Sequence, residues 1–273
     1  MIHVYDSKPS QQAGAILAVV PTTTSSFTET LTIIETPTLA PYSPPSSQVT
    51  NSVCDRLYQV SLNYLADTDE TADRIAREIA FLGGKNESAD LVCGPLSISI
   101  MKDAGILPSN TSTLDIWLLC PREEREECHG IKILNNEYFP SQDYDYYRVY
   151  ESVRTFDFTS NPLLPGDWLY LYTSNNGFDH MLVVTRVDKN RVPYTVTNLN
   201  RGKGFVISEE VLYDPNMPGI GLFYELTNPS RGTLGMMGTG GFLLVRRKDG
   251  LCNGPTEFDI NQEVRWEIEQ ETK

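Results

Sequence analysis

Two residues of this sequence have the types and positions that thiol chemistry requires. Cys93 opens the segment CGPLSISIMKDAGILP, and His180 opens the apolar segment HMLVVTRVD. A helix N-terminus and a neighbouring imidazolium both favour the thiolate, which is the nucleophilic form of cysteine. The other two histidines lie in an N-terminal tail (His3) and in a charged loop (His129). We therefore predict that Cys93 is a nucleophile and that His180 is its general base and then its general acid.

A third group is needed to orient the imidazole, and the next predicted strand offers one. Asn198 and Asn200 close the segment PYTVTNLN, and a hairpin brings the end of this strand beside the start of the His180 strand. An amide from either residue can reach the ring, and the spacing favours Asn198 over Asn200. Asp179 is predicted either to cap the preceding turn or to tune His180. The backbone N–H of Cys93 is expected to stabilise an oxyanion.

These segments resemble the papain-like bacterial cell-wall hydrolases of the NlpC and CHAP types. The stretch ADLVCGPLSISIMKDAGILP resembles their nucleophile helix, and PGDWLYLY followed by Asp179–His180 resembles their "PGD" strand and histidine strand. The CGP triplet is also similar to peptidases that process bacteriocin leaders. The resemblance covers roughly residues 75–210. It implies a papain-like cysteine hydrolase that cleaves an amide bond in a peptide or in peptidoglycan through a Cys-His-Asn acyl-enzyme, without a cofactor or metal.

The sequence departs from that family on the side where an oxyanion would be bound. Ala80 and Phe81 stand where the NlpC type has a tyrosine, and Val92-Cys93-Gly94 replaces the usual Asp-Cys-Ser. Glu87 stands where papain-like relatives place glutamine, and an ionised carboxylate there would oppose an oxyanion. Asn86 is the candidate donor in its place. These departures favour the alternative of a catalytically inactive papain-like module that binds a peptide or glycan, and a purely structural surface protein is a third possibility.

The elements that must position these residues follow from the hydrophobic pattern. Helical periodicity and capping residues predict helices within VCDRLYQVSLNYLA and DTDETADRIAREIAFLGG, with Thr68 or Asp69 as the second helix's cap, and a third helix from Cys93. From residue 165 short alternating segments predict antiparallel strands in PGDWLYLYT, HMLVVTRVD, PYTVTNLN, GFVISEEVLYD, LFYELT and GGFLLVRRK. The order of helices followed by strands predicts an α+β domain over residues 51–248, and the resemblance implies that it is papain-like. Residues 110–160 form an insertion with an acidic, aromatic segment, SQDYDYYRVYESV, predicted to pack on the surface or to line a cleft.

The flanking segments predict an exported protein. Residues 1–50 are predicted to be a disordered spacer rich in Thr, Ser and Pro, and residues 249–273 an acidic tail or closing strand. The apolar run Ala13–Val20 is far shorter than the roughly 20 residues that a transmembrane helix needs, and it resembles a signal core only weakly. We expect an extracellular or cell-envelope location, with the cytoplasm as the alternative. The oligomeric state is left open.

Charge and cysteine content narrow the partners further. The net charge is −14, so the chain lacks the basic surface that binding to nucleic acid or an anionic membrane requires. The acidic group Asp67, Asp69 and Asp73 lacks the glycine and closing glutamate of a calcium loop, and no spacing indicates a zinc site. With Cys93 free, the other cysteines can form the pairs Cys120–Cys128 and Cys54–Cys252; alternatively they are buried thiols.

Overall fold

The computed structural model describes residues 52–80, 92–113, 116, 134–174, 179–202 and 204–251. The chain divides into two units, Met1–Gln48 and Val49–Lys273, and all described residues belong to the second. This unit is an α+β domain in which helices accompany one six-stranded antiparallel sheet. The predicted α+β class is confirmed. No helix among the described residues combines the length and apolar character needed to span a bilayer.

Among the described residues, three α-helices lie in the N-terminal part of the domain, near the predicted positions. They are α1 (Val53–Ser61), which a 3-10 turn over Leu62–Tyr64 extends, α2 (Asp69–Ala80) and α3 (Cys93–Asp103). The hydroxyl of Ser52 caps α1 by accepting a hydrogen bond from the backbone N–H of Asp55. The hydroxyl of Thr68 accepts from the N–H of Thr71 at the start of α2, whereas the carboxylate of Asp69 accepts from the N–H of Phe205.

The six strands follow in chain order but not in spatial order. They are β1 (Tyr144–Val149), β2 (Trp168–Thr173), β3 (His180–Val187), β4 (Pro193–Asn200), β5 (Phe205–Val211) and β6 (Met237–Arg247). The spatial order is β1-β6-β2-β3-β4-β5, so the last strand lies between the first and the second. Four strands were predicted at β2 to β5, and GGFLLVRRK lies within β6 except for its last residue, Lys248. The segment around β1 was expected as surface or cleft, and it instead forms an edge strand.

One predicted strand has a different structure. LFYELT was expected to continue the β pattern, but Leu222–Leu226 forms a short helix, α4. Its residues Leu222, Phe223 and Leu226 are buried together, which matches the i, i+1 and i+4 positions of one helical face. A five-residue apolar run is too short for periodicity alone to separate helix from strand.

The two faces of the sheet bury different apolar clusters. The first cluster contains Trp168, Tyr170, Met181 and Val183 and is covered by α1 to α3. The second cluster lies on the other face, contains Leu169, Leu171, Leu182, Val184 and Leu199, and includes the apolar residues of α4. Since side chains alternate along a strand, neighbouring residues of β2 and β3 belong to different clusters.

The segment Pro165-Gly166-Asp167, which precedes β2, stabilises the fold. The carboxylate of Asp167 receives two hydrogen bonds from the guanidinium of Arg246, at 2.8 and 2.6 Å, and both side chains are almost completely buried. Asp167 also accepts from the N–H of Leu164, which closes the turn. Gly166 has a positive φ of 90°, and a Cβ there would lie 2.8 Å from the side chain of Leu251.

Only some of the cysteines in the predicted disulfides are among the described residues. Cys54 is disulfide-bonded, and its sulfur lies 3.3 Å from the carbonyl oxygen of Leu251, the residue before Cys252. Cys252 itself, like Cys120 and Cys128, lies outside the described residues. Cys93 is a free thiol, as its predicted role requires.

Candidate functional site around Cys93

Cys93 lies at the first turn of α3, close to the start of β3. Its side chain is partly buried and packs against the first apolar cluster. The backbone N–H groups of Met181, Gly94 and Cys93 itself favour the anionic form of the sulfur and so lower the pKa of the thiol. Gly94 allows α3 to lie close to β3, since a Cβ at that position would lie 2.8 Å from the sulfur of Met181 and 3.2 Å from two carbons of Ile116. The thiol is therefore held where helix and strand meet.

A chain of hydrogen bonds fixes the start of α3 to the sheet. The indole N–H of Trp168 donates to the hydroxyl of Ser97 at 2.9 Å, and that hydroxyl donates to the carbonyl of Gly94 at 2.8 Å. All three residues are buried. Trp168 therefore connects β2 to the first turn of α3.

The environment of Cys93 disfavours the thiolate. Burial is the main cause that raises the pKa of the Cys93 thiol, and the carboxylate of Asp179 raises it further. The three backbone N–H groups lower the pKa but do not reverse the direction. The sequence predicted the opposite, a thiolate stabilised by a helix N-terminus and an imidazolium. At neutral pH the side chain is a protonated thiol.

His180 points to the other face of the sheet. It is paired directly with Leu171 across β2 and β3, and Leu171 and Leu182 both belong to the second apolar cluster. Its ring is 4% exposed, and Nε2 lies 2.9 Å from the hydroxyl of Thr197. Burial alone lowers the pKa of His180 to about 4, so the imidazole is neutral at neutral pH.

The structure therefore does not bring Cys93 and His180 together. Along β3 the side chain that faces α3 is Met181, and the alternation of a strand sends His180 to the opposite side. The prediction that His180 begins a strand agrees with the structure, but the face of the sheet on which the ring lies depends on the register with β2. A histidine at a strand end reaches a helix on one face only.

The two asparagines also occupy positions that differ from the predicted role. Asn198 is buried and pairs with Ile207, a member of the first cluster, so it lies on the face of Cys93 rather than that of His180. The residue that contacts the imidazole is Thr197, which the sequence did not single out. Asn200 ends β4, where its side-chain oxygen accepts a hydrogen bond from the N–H of Gly202. It stabilises the turn into β5.

Asp179 and Tyr170 form a second polar pair near Cys93. One carboxylate oxygen of Asp179 accepts from the hydroxyl of Tyr170 at 2.9 Å, and the other accepts from the N–H of Thr173 at 2.9 Å. Burial, followed by the charge of Asp179, raises the pKa of Tyr170 well above its usual range. Asp179 thus closes the β2–β3 connection, as a turn cap would, and its charge acts on Cys93. Strand alternation placed Tyr170 on this face and could have identified it.

The predicted oxyanion side lies beyond what the structure describes. Asn86 and Glu87 fall in residues 81–91, outside the described residues. Within the described ranges, no group of three or more His, Cys, Asp and Glu side chains is arranged to hold a metal ion.

Comparisons with models of protein families, with curated proteins and with solved structures found no match to this chain.

Proposed function

We propose that this domain is a catalytically inactive relative of the papain-like hydrolases that binds an amide-containing ligand, a peptide or the peptide part of peptidoglycan, without cleaving it. The observation that carries this proposal is the position of His180 on the face opposite Cys93, in hydrogen-bonding contact with Thr197. A thiol hydrolase needs a base within hydrogen-bond reach of its nucleophile. The resemblance of residues 75–210 to NlpC-type and CHAP-type domains supports the ancestry.

The groups around Cys93 suit binding better than chemistry. Among the described residues, Asp179 is the charged group that acts on the thiol, and a carboxylate is a far weaker base than an imidazole. Together with the raised pKa of Cys93, this leaves little thiolate at neutral pH. Backbone N–H donors at the start of α3 and the carboxylate of Asp179 match the carbonyl and N–H of an amide. The ligand would lie across the ends of α3, β2 and β3.

A second candidate is the predicted cysteine hydrolase acting on the same amide. The observation that favours it is that three backbone N–H groups, those of Met181, Gly94 and Cys93, lower the pKa of the thiol and would stabilise a thiolate or a developing oxyanion. In that case a base other than His180 would have to accept the thiol proton.

Binding and turnover measurements separate the two candidates. The wild type and Cys93→Ser are each incubated with soluble muropeptides and with a peptide library, and bound and released species are identified by mass spectrometry. The binding proposal predicts intact ligands and equal retention by both proteins. Cleavage by the wild type that is lost in Cys93→Ser would instead establish the hydrolase.

A pair of carboxylate variants tests whether the ligand occupies this end of the sheet. Asp179→Asn removes the acceptor charge beside Cys93, and we expect it to weaken retention of the muropeptide or peptide about tenfold, as for loss of one charge-assisted hydrogen bond. Glu151→Gln, on the exposed surface, is the matched control and is expected to bind like the wild type. Equal binding by both variants would contradict a site at Asp179.

A further inference from the structure

The imidazole of His180 is buried at the start of β3, where a change in its protonation state would affect the local structure. The ring is 4% exposed and lies on the face of the second apolar cluster, directly opposite Leu171 on β2, and among the described residues its hydrogen-bonding partner is the hydroxyl of Thr197. Protonation would place a positive charge at this buried position, which is costly without a compensating negative group. Opening the strand end to water relieves that cost.

The charged groups on the elements that cover this face do not compensate a charge on His180. They form pairs with one another: Arg201 with Glu210 and Glu225, Arg231 with Glu225, and Arg246 with Asp167. Arg154 stacks on the ring of Tyr224, and Asp157 accepts hydrogen bonds from residues 159 and 160. Asp179, on the other side of the sheet, acts on Cys93 and Tyr170. Burial is the cause that lowers the pKa of His180, and no charge contributes to it.

The two residues adjacent to His180 in sequence build the environment of Cys93. Asp179 accepts hydrogen bonds from the hydroxyl of Tyr170 and the N–H of Thr173, and the side chain of Met181 packs against Gly94, the residue after Cys93. Displacement of the backbone at His180 therefore moves both neighbours. Protonation of His180 on one face of the sheet would therefore alter the environment of Cys93 on the other face.

We propose that protonation of His180 at mildly acidic pH opens the start of β3 and exposes Cys93. This device does not depend on whether the Cys93 site binds or cleaves its ligand. In the closed state the buried imidazole is neutral, and in the open state water solvates the imidazolium. Any ligand held by Asp179 and the N–H groups near Cys93 is released as the pH falls.

The two pKa values of His180 determine how the equilibrium between the closed and open states depends on pH. The pKa of His180 is about 4 in the closed state and about 6.5 when the ring is solvated, so the closed state is favoured at neutral pH and loses stability as the pH falls below about 6.5. These two values raise the open fraction about 20-fold between pH 7 and pH 5, and the increase levels off below pH 4.

The test is the rate at which Cys93 reacts with 4,4′-dithiodipyridine, followed by mass spectrometry of the peptide that contains it. His180→Gln is the matched control, because it keeps a hydrogen-bonding group for Thr197 but does not titrate. Dividing the wild-type rate by the variant rate cancels the pH dependence of the thiol and the reagent. We expect this ratio to rise about 20-fold from pH 7 to pH 5. A ratio that stays constant within about twofold would overturn the proposal.

A second measurement applies if His180→Gln does not fold. In a protein carrying His3→Gln and His129→Gln, His180 is the only histidine, and its ring proton signal can be followed by NMR. The proposal predicts a neutral ring through pH 6 and a protonated state that appears together with chemical shift changes at Asp179 and Met181. A simple titration near pH 6.5, without changes at those residues, would overturn it.

Discussion

Loss of Arg246 is expected to destabilise this domain far more than loss of the arginine next to it. In Arg246→Met the carboxylate of Asp167 stays buried, at 2% exposure, with the N–H of Leu164 as a remaining donor. The variant also loses the hydrogen bond from Arg246 to the carbonyl of Pro162. Breaking a buried ion pair by removing one partner typically costs about 3–5 kcal/mol.

Arg247→Met is the matched control on the same strand. Arg247 pairs with Asp249 at 2.9 Å, but the two side chains are 35% and 62% exposed, so this pair contributes about 0–1 kcal/mol. Urea unfolding followed by circular dichroism gives the free energy of unfolding of each variant. A loss for Arg246→Met within about 1 kcal/mol of the loss for Arg247→Met would refute the role assigned to the buried pair.

The pH dependence of Arg246→Met provides an internal check. Burial raises the pKa of Asp167, and Arg246 opposes that shift, so the variant carries a carboxyl whose pKa is raised further. A group with a raised folded-state pKa takes up a proton on folding, and stability is lost as the pH rises from the unfolded-state pKa through the folded one. The deficit of Arg246→Met should therefore be larger at pH 7 than at pH 5. The double variant Asp167→Leu/Arg246→Met should recover part of the loss.

Three further predictions concern the positioning of Cys93 and the disulfide. Trp168→Phe removes the donor to Ser97 and leaves a void, and we expect a loss of about 1–3 kcal/mol by urea unfolding; an unchanged midpoint would contradict this role. Gly94→Ala places a methyl group against Met181, and a loss of about 1–3 kcal/mol is expected despite the better helix propensity of alanine; a gain in stability would contradict the close packing. Cys54→Ser should lower the melting temperature as much as dithiothreitol lowers that of the wild type, with no additional effect of the reductant on the variant; an additive effect would show that a different disulfide dominates.

The helices and most strands could be predicted because their signals are local. Capping residues and apolar periodicity gave α1, α2 and α3, and alternation gave β2 to β5. Two elements could not be derived in this way. The run that forms α4 is too short for its period to be read, and β1 is an edge strand whose pairing with β6 spans almost a hundred residues. Long-range pairing of this kind has no signature in the strand's own sequence.

The candidate site was predicted in its parts but not in its arrangement. The sequence indicated that Cys93 begins a helix and that His180 begins a strand, and both positions agree with the structure. It could not fix the face on which His180 lies, because that depends on the pairing of β2 with β3, and a shift of one residue exchanges the two faces. The same limit explains why Thr197, and not Asn198, contacts the ring. It also explains why Tyr170 and Asp179 were not grouped with Cys93.

The most direct test of the account is the alkylation rate of Cys93 by iodoacetamide between pH 7 and pH 10, in the wild type and in His180→Gln. This range lies above the pKa of His180 in both its states, so the ring is neutral throughout. We predict an apparent thiol pKa above the ordinary value of about 8.5, identical in the two proteins, because His180 and Cys93 lie on opposite faces. Fast alkylation with an apparent pKa near or below 7 that rises in His180→Gln would contradict it and would restore the thiol–imidazole pair.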